Sequence, residues 1–458
     1  MTNNWEDLVG FVDSLRLDGD VVEISEKVNP RFEISAILKA LGEMDGPAAL
    51  FSNVVGFPGQ VTVGNVLAHR RRLAKAIGAQ ESNLTESYLR QKREFVEPVL
   101  IDHAPTKAHV FKSNEVNLFK ILPALTHHEE DSGPYLTCGI AFCRDPDTGC
   151  QSMGVHRVKI QSEKELAIYL ATPPVSRYLQ KTHMRGKPLE IAVIIGPDPA
   201  VLMASVTWCP EGIDKLQIAG GLKGRPIEIA ECEELNLRVP AHSQYVIEGV
   251  IRPGDTVRDG VFGESSGIYS EECGSPRIEV SVVSHKDQPL FQALQPWSSE
   301  DDALLNLCYG TDLFERVRSE FSFVQDLVLG SGTVGGHCIL AVRECTRPMM
   351  LSAMASIFGR NFFVKRVVVV DDDIDIRNYK EVEWALATRF QADRDLFLMS
   401  GLQGSPIDPS CSPDGSASKM GMDATFPKGR AEAFKKVGLP LESRKLGKGI
   451  LNRAMKHS

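Results

Sequence analysis

The run Arg258-Asp259-Gly260-Val261-Phe262-Gly263-Glu264-Ser265-Ser266-Gly267 sets two carboxylates, Asp259 and Glu264, five positions apart among three glycines and two serines. Glycine costs roughly 1 kcal/mol relative to alanine inside a helix, so the run reads as a loop. Strands are predicted on either side of it, at 243–251 and 277–284. Glycines let the backbone come close to a ligand. Two acids held near each other under the apolar cover of Phe262 have their pKa values pushed apart, so that one keeps its proton near neutral pH. That is the chemistry of a proton donor beside a charged partner. A solvated surface turn is the other reading of the same residue types.

Composition bounds what surrounds this loop. The chain has 458 residues, 43% hydrophobic and 24% charged, with a net charge of −9. By size it holds about three domains. It is long enough to bury a large core without disulfides. The acidic balance excludes a general nucleic-acid binder, which would carry a basic face. The basic clusters are short: Arg70-Arg71-Arg72 and the tail at 444–456, which reads as a solvated helix face. Ten cysteines occur without a CxxC pair. Cys138, Cys143 and Cys150 lack the histidine spacing of a zinc site. Scattered cysteines, no signal-peptide pattern at the start and no apolar run of ~18 residues lead us to expect a cytoplasmic protein.

Three textures succeed one another. Up to about residue 100, helices predicted at 5–17, 34–41 and 67–77 mix with strands at 20–25 and 48–54, giving a small α/β unit. From residue 118, short strand-like runs separated by turns dominate, including 135–143, 151–159, 205–208, 226–230 and 289–294, as in a barrel or sandwich. Helices at 177–184 and 199–204 interrupt them. From about residue 301 the α/β pattern returns. A helix at 302–321 is followed by an almost wholly apolar strand at 364–370, closed by Asp371-Asp372-Asp373. A basic helix is expected at 442–458.

Three ordered stretches resemble one family, the UbiD-like decarboxylases. The first is Tyr135-Leu136-Thr137-Cys138-Gly139 with Arg144-Asp145-Pro146-Asp147-Thr148-Gly149 and Gly154-Val155-His156-Arg157. The second is Asp259–Gly267. The third is Val364-Lys365-Arg366-Val367 running into Asp371-Asp372-Asp373-Ile374-Asp375, with a late Ser418-Lys419-Met420-Gly421-Met422-Asp423-Ala424-Thr425. The resemblance implies an α+β fold: an N-terminal α/β unit over 1–115, a central split β-barrel like that of flavin reductases over 116–300, and a C-terminal α/β oligomerisation unit with a terminal helix over 301–458. It implies a prenylated flavin mononucleotide (prenylated FMN) as cofactor, a flavin prenyltransferase as its supplier, and a homodimer or homohexamer. By position it implies catalytic roles for Arg157, Asp259 and Glu264. The cofactor-binding positions are Ser152, Met153, Gly154, Val155, His156, Arg157, Arg177, Tyr178, Lys215 and Lys365. On a strand, His156 and Arg157 would point to opposite faces, so only one of them is expected in the pocket.

The departures concern the metal. In the family an asparagine, a histidine and a glutamate hold a divalent ion, such as manganese, against the cofactor phosphate, and backbone carbonyls hold a monovalent ion such as potassium. Those three positions are Ser152, Tyr178 and Lys215 here. Hard cations prefer carboxylate, carbonyl and water oxygens, so no metal is expected at these positions. Lys215 is either an ammonium that compensates the phosphate directly or a residue beside a turn with no role. The resemblance implies a reversible, non-oxidative decarboxylase of an aromatic, heteroaromatic or α,β-unsaturated acid, with Glu264 as proton donor. The retained Arg157, Asp259 and Glu264 favour that enzyme. The lost ligands favour a non-catalytic subunit paired with an active paralogue, or a protein binding unmodified FMN. His127-His128 is expected to order a loop, and Asp371–Asp373 to end a strand and cap the next segment.

Overall fold

A computed structural model describes residues 5–455 apart from 171, 172, 211, 334, 362, 428 and 435, with the backbone alone for 431, 448, 452 and 455. The last residues of the expected basic helix, 456–458, and residue 171 of the 168–171 strand lie outside the described residues. The fold is mixed α+β.

Leu8, Phe11, Val12 and Leu15 recur at helical spacing and are buried along one side of the Leu8–Leu17 helix. Asp7 caps it, accepting the Gly10 N–H at 2.9 Å. A four-stranded sheet runs Val21–Ile24, Ala48–Phe51, Val61–Gly64 and Leu290–Gln292. Its last member arrives from far along the chain and pairs in parallel with Val61–Gly64. That return fixes where Gln295, Pro296 and the following helix begin. Of the Arg70-Arg71-Arg72 cluster, Arg72 is fully buried and donates to Asp20 and to the carbonyls of Asn65 and Gly46.

The central sheet has ten strands. Its main path runs Tyr135–Leu136, Val158–Ile160, Glu165–Ile168, Gly274–His285, Tyr245–Ile251, Leu189–Ile195, Ile140–Arg144 and Gln151–Val155, all antiparallel. The path is open: among the described residues no ladder joins its two ends. One helix packs beside it and a second packs on that helix. Pro199–Val206 starts with proline at its first position and Asp198 as cap, and it continues through 205–206, where a strand was expected. Its residues Pro199 to Ser205 are buried all round, so the apolar run 201–206 carries no periodicity to distinguish helix from strand. Lys215–Lys223 is a helix that the sequence did not reveal.

The C-terminal sheet runs Val324–Leu329, His337–Val342, Arg366–Asp371, Ser416–Ala424 and Leu396–Gln403. Val367 to Val370 are buried, as expected of a central parallel strand. Arg389 pairs with Asp371 and Asp373 and ties the strand end to the Tyr379–Arg389 helix. One continuous helical run enters this unit. It is α-helical over Ser299–Leu304, widens to a π-helix over Leu305–Gly310, and is α-helical again over Thr311–Glu320. The Leu441–Met455 helix exposes Leu446, Ile450 and Leu451. No helix among the described residues is long and apolar enough to cross a membrane.

Candidate active site

Arg157 lies in the two-residue gap between the Gln151–Val155 and Val158–Ile160 strands. His156 N–H donates to the Gly139 carbonyl and the Arg157 carbonyl accepts from Tyr169 N–H, both at 3.1 Å. Outside the strand the two-residue alternation no longer applies. Both His156 and Arg157 line the same cavity, correcting the expectation that only one would.

The acidic loop is pinned from behind. Asp259 N–H donates to the Cys273 carbonyl at 2.9 Å. Its own carbonyl accepts the hydroxyls of Tyr135 at 2.8 Å and Ser132 at 3.1 Å. Gly260 has φ +84°, and a Cβ there would stand 2.0 Å from Ser132 Oγ, so the turn requires glycine. Asp131 accepts the N–H groups of His127, His128 and Gly263 at 2.8–2.9 Å. It is the Asp131 carboxylate that orders this loop, through the histidines' backbone, and burial pushes the His127 imidazole down to about 3, so it is neutral.

These elements converge on one guanidinium. Arg157 donates to Asp259 Oδ2 through Nε at 3.1 Å and Nη2 at 2.8 Å, and through Nη1 to Glu264 Oε1 and, at 3.0 Å, to Ser270 Oγ. It lies over the ring of Tyr169, 4.4 Å from the centroid, with Phe262 at 5.3 Å. Asp259 is fully buried; its Oδ2 also accepts from Ser275 Oγ, while Oδ1 has no donor among the described residues. Burial pushes the Glu264 carboxyl above its ordinary value and Asp259 adds to this, against the pull of Arg157 and Ser270. Burial works against the Arg157 charge, but Glu264 and Asp259 raise its pKa above the ordinary value. One acid thus faces Arg157 from full burial and the other from the wall of the cavity.

The cavity measures about 350 Å³. Its walls are largely apolar, from Val155, Leu202, Val206, Leu294, Leu304 and Leu305, with Thr137, His156, Arg157, Glu264, Ser265 and Asp301 as polar members. Burial and the nearby Lys215 push the His156 imidazole down to about 4, so it is neutral at pH 7. An apolar slot edged by a neutral imidazole suits a flavin ring. Val155, His156, Arg157 and Glu264 thus come together on one cavity. Ser152 and Met153 are buried on the strand behind, with Gly154 between them and Val155. Arg177 and Tyr178 stand on the Val175–Met184 helix, Tyr178 buried, and neither lines the cavity. Lys365 sits in the C-terminal sheet unit, bound to Asp408 at 2.8 Å and to Ser410. Tyr169, Leu202, Val206, Asp301, Leu304 and Leu305 were not foreseen.

The divalent metal implied by the resemblance does not fit these side chains. Lys215 is buried at the start of its helix and donates from Nζ to the Ser205 carbonyl at 2.7 Å. An ammonium has no lone pair to offer a cation. Among the described residues no carboxylate pairs with it, and no group of three His, Cys, Asp or Glu side chains is placed to hold an ion.

Comparison with known proteins places the chain in one family. Family models described as the N-terminal, Rift-related and C-terminal domains of 3-octaprenyl-4-hydroxybenzoate carboxy-lyase match residues 12–91, 99–298 and 305–424. The chain is 31% identical to the anhydromevalonate phosphate decarboxylase of Methanosarcina mazei over 438 residues, covering 94% of this chain and 99% of the relative. It is 31% identical to a phenolic acid decarboxylase of Streptomyces sp. strain D7, covering 92% of each. Its fold superposes with a TM-score of 0.92 on the UbiD-class enzyme HmfF from Pelotomaculum thermopropionicum in complex with FMN, at 34% identity and covering 96% and 99% of the two chains. An evolved dimeric form of that enzyme, in complex with prFMN, gives 0.87 at 31% identity, covering 95% and 97%.

Proposed function

The chain belongs to the UbiD family of carboxy-lyases, and from that premise we propose that it is a non-oxidative, reversible decarboxylase of an aromatic, heteroaromatic or α,β-unsaturated carboxylic acid, working with prenylated FMN. The observation that carries this reading is the joining of Arg157 to both Asp259 and Glu264 at the wall of an apolar cavity. We read the open ten-stranded sheet as the split barrel, and divide the chain at 1–115, 116–300 and 301–458.

When bound, the flavin supplies the electron sink for the carbon–carbon bond that breaks. The remaining work falls to the chain. Arg157 attracts and orients the substrate carboxylate from the cavity wall, while Asp259 and Tyr169 hold the guanidinium in one pose. The apolar lining excludes water and sustains the raised pKa of Glu264. Glu264 then delivers its proton to the carbon that has lost carbon dioxide. The balance is one carboxylate and one proton giving one carbon–hydrogen bond and carbon dioxide. In reverse, Glu264 takes that proton as carbon dioxide adds. Asp259, fully buried, stays an acceptor for Arg157 throughout.

The ten free cysteines support a reducing, cytoplasmic setting. The apolar residues exposed on the Leu441–Met455 helix support a homodimer, a homohexamer or pairing with a paralogue. The test is co-expression with a flavin prenyltransferase, followed by the absorbance spectrum and mass of the released ligand and by carbon dioxide release from a panel of unsaturated acids. Prenylated flavin with turnover is expected. Unmodified FMN would favour a plain flavoprotein, and a chain without ligand a non-catalytic subunit.

A further inference from the structure

The cavity holds a second carboxyl that the reaction above does not use. Asp301 stands in the first turn of the Ser299–Leu304 helix, where its N–H donates to the Ser298 cap. Its side chain lines the cavity together with Glu264, Ser265, Pro296, Leu304 and Leu305. Oδ2 accepts the Trp297 N–H at 3.3 Å, and the Ser265 hydroxyl bonds to the same carboxyl. These contacts hold the group in place without neutralising it. Among the described residues no lysine, arginine or histidine pairs with Asp301. Asp259 and Glu264 share Arg157; Asp301 has no such partner. Burial pushes its carboxyl up to about 6, with Asp302 and Glu264 adding to the effect, so near neutral pH it is mostly ionised.

A carboxylate can accept about four hydrogen bonds and Asp301 is given two, so a further donor from a ligand lowers the cost of its burial. It also repels a second anion brought to the same wall. We infer that Asp301 sets the substrate specificity of this site: it accepts a hydrogen bond from a hydroxyl or ring N–H carried by the acid away from its departing carboxylate, and it rejects acids with a second anionic group there. This rests on the decarboxylase reading. A site built to bond a substrate hydroxyl discriminates against the analogue lacking it far more strongly than an apolar pocket discriminates by size.

The test compares three matched acids in each of two series, benzoates and cinnamates carrying a 4-hydroxyl, 4-methyl or 4-carboxylate group. The holoprotein, Asp301→Asn and Asp301→Leu are each assayed for kcat and KM, and for equilibrium binding by calorimetry. The wild type is expected to prefer hydroxyl over methyl over carboxylate. Asp301→Leu should reduce the hydroxyl-to-methyl ratio in kcat/KM and in affinity at least about tenfold. Asp301→Asn keeps an acceptor and the side-chain shape but drops the charge, so it should retain the hydroxyl preference and admit the dicarboxylate. Ratios unchanged in both variants overturn the inference, as does failure of all six acids to bind the wild type. If the acids bind with an Asp301-dependent hydroxyl preference but none is turned over by prenylated holoprotein, the specificity role stands and the decarboxylase reading falls.

Discussion

The hydroxyl of Tyr135 donates to the backbone carbonyl of Asp259 at 2.8 Å, and its ring packs on Phe262 with centroids 4.4 Å apart. One side chain from the sheet thereby sets the height of the loop that carries both acids. Tyr135→Phe keeps the ring and deletes the buried bond. Stability should fall by about 1–2 kcal/mol in a urea titration. The turnover number should fall with it, because Asp259 no longer meets Arg157 squarely. A variant with unchanged stability and turnover would refute the bracing role.

Glu264→Gln should preserve the fold and the bound flavin while lowering turnover by about 10² to 10⁴-fold, the usual range for a lost proton donor. Flavin content by absorbance and carbon dioxide release by coupled assay check the two halves separately. Wild-type turnover would remove Glu264 from the mechanism.

Arg157→Lys retains a positive charge but replaces a planar fork by a single ammonium. It cannot reach Asp259 through two nitrogens and Glu264 through a third. We expect at least a roughly 100-fold loss of kcat/KM, and a thermal transition lowered because the fully buried Asp259 loses the two guanidinium nitrogens that donate to its Oδ2. Calorimetric scanning and steady-state kinetics read these effects.

The resemblance gives the position of Lys215 to a metal ligand, and its ammonium donates to the Ser205 carbonyl instead. Dialysis against a chelator should therefore leave the flavin content of the purified protein unchanged. Flavin lost in step with manganese would contradict the lysine reading. Lys215→Met should lower the retained flavin, measured as the ratio of visible to ultraviolet absorbance.

Glu300 accepts the Leu67 N–H at 2.7 Å, and burial raises its carboxyl from an ordinary 4.5 to about 7. The folded state thus binds this proton more tightly than the unfolded state. The stability it contributes is complete below about pH 4.5 and is lost as the pH rises through about 7, a change on the order of 3 kcal/mol. Glu300→Gln should abolish that component. The wild-type stability minus that of the variant should therefore decline between pH 5 and pH 8 in paired urea titrations; a flat difference would count against it.

The loop acids and Arg157 were legible because spaced glycines, serines and acids kept family order along the chain. Asp301 was not. Glu300, Asp301 and Asp302 are three consecutive acids with three fates: Glu300 binds the Leu67 N–H, Asp301 faces the cavity, and Asp302 takes the Gly332 N–H. Only the tertiary position of their helix separates them. The helix Lys215–Lys223 was hidden for a related reason. Gly220 and Gly221 argue against a helix by propensity, yet a Cβ on Gly221 would lie 2.1 Å from the Glu94 carbonyl oxygen. Close approach of another backbone selects glycine there, and local preference is overruled.

The wide turn over Leu305–Gly310 joins the cavity wall to the Thr311–Glu320 helix. Each residue of an α-helix advances by about 100° around the axis, so removing one residue from that turn would swing Asp301 and Leu304 about a quarter of a circle relative to the Thr311–Glu320 helix. The helix would survive such a deletion, still anchored where Asp312 accepts the Trp208 N–H at 3.1 Å. A change of one residue in length, with no change in any lining side chain, would thus alter the whole face that this helix presents to the cavity.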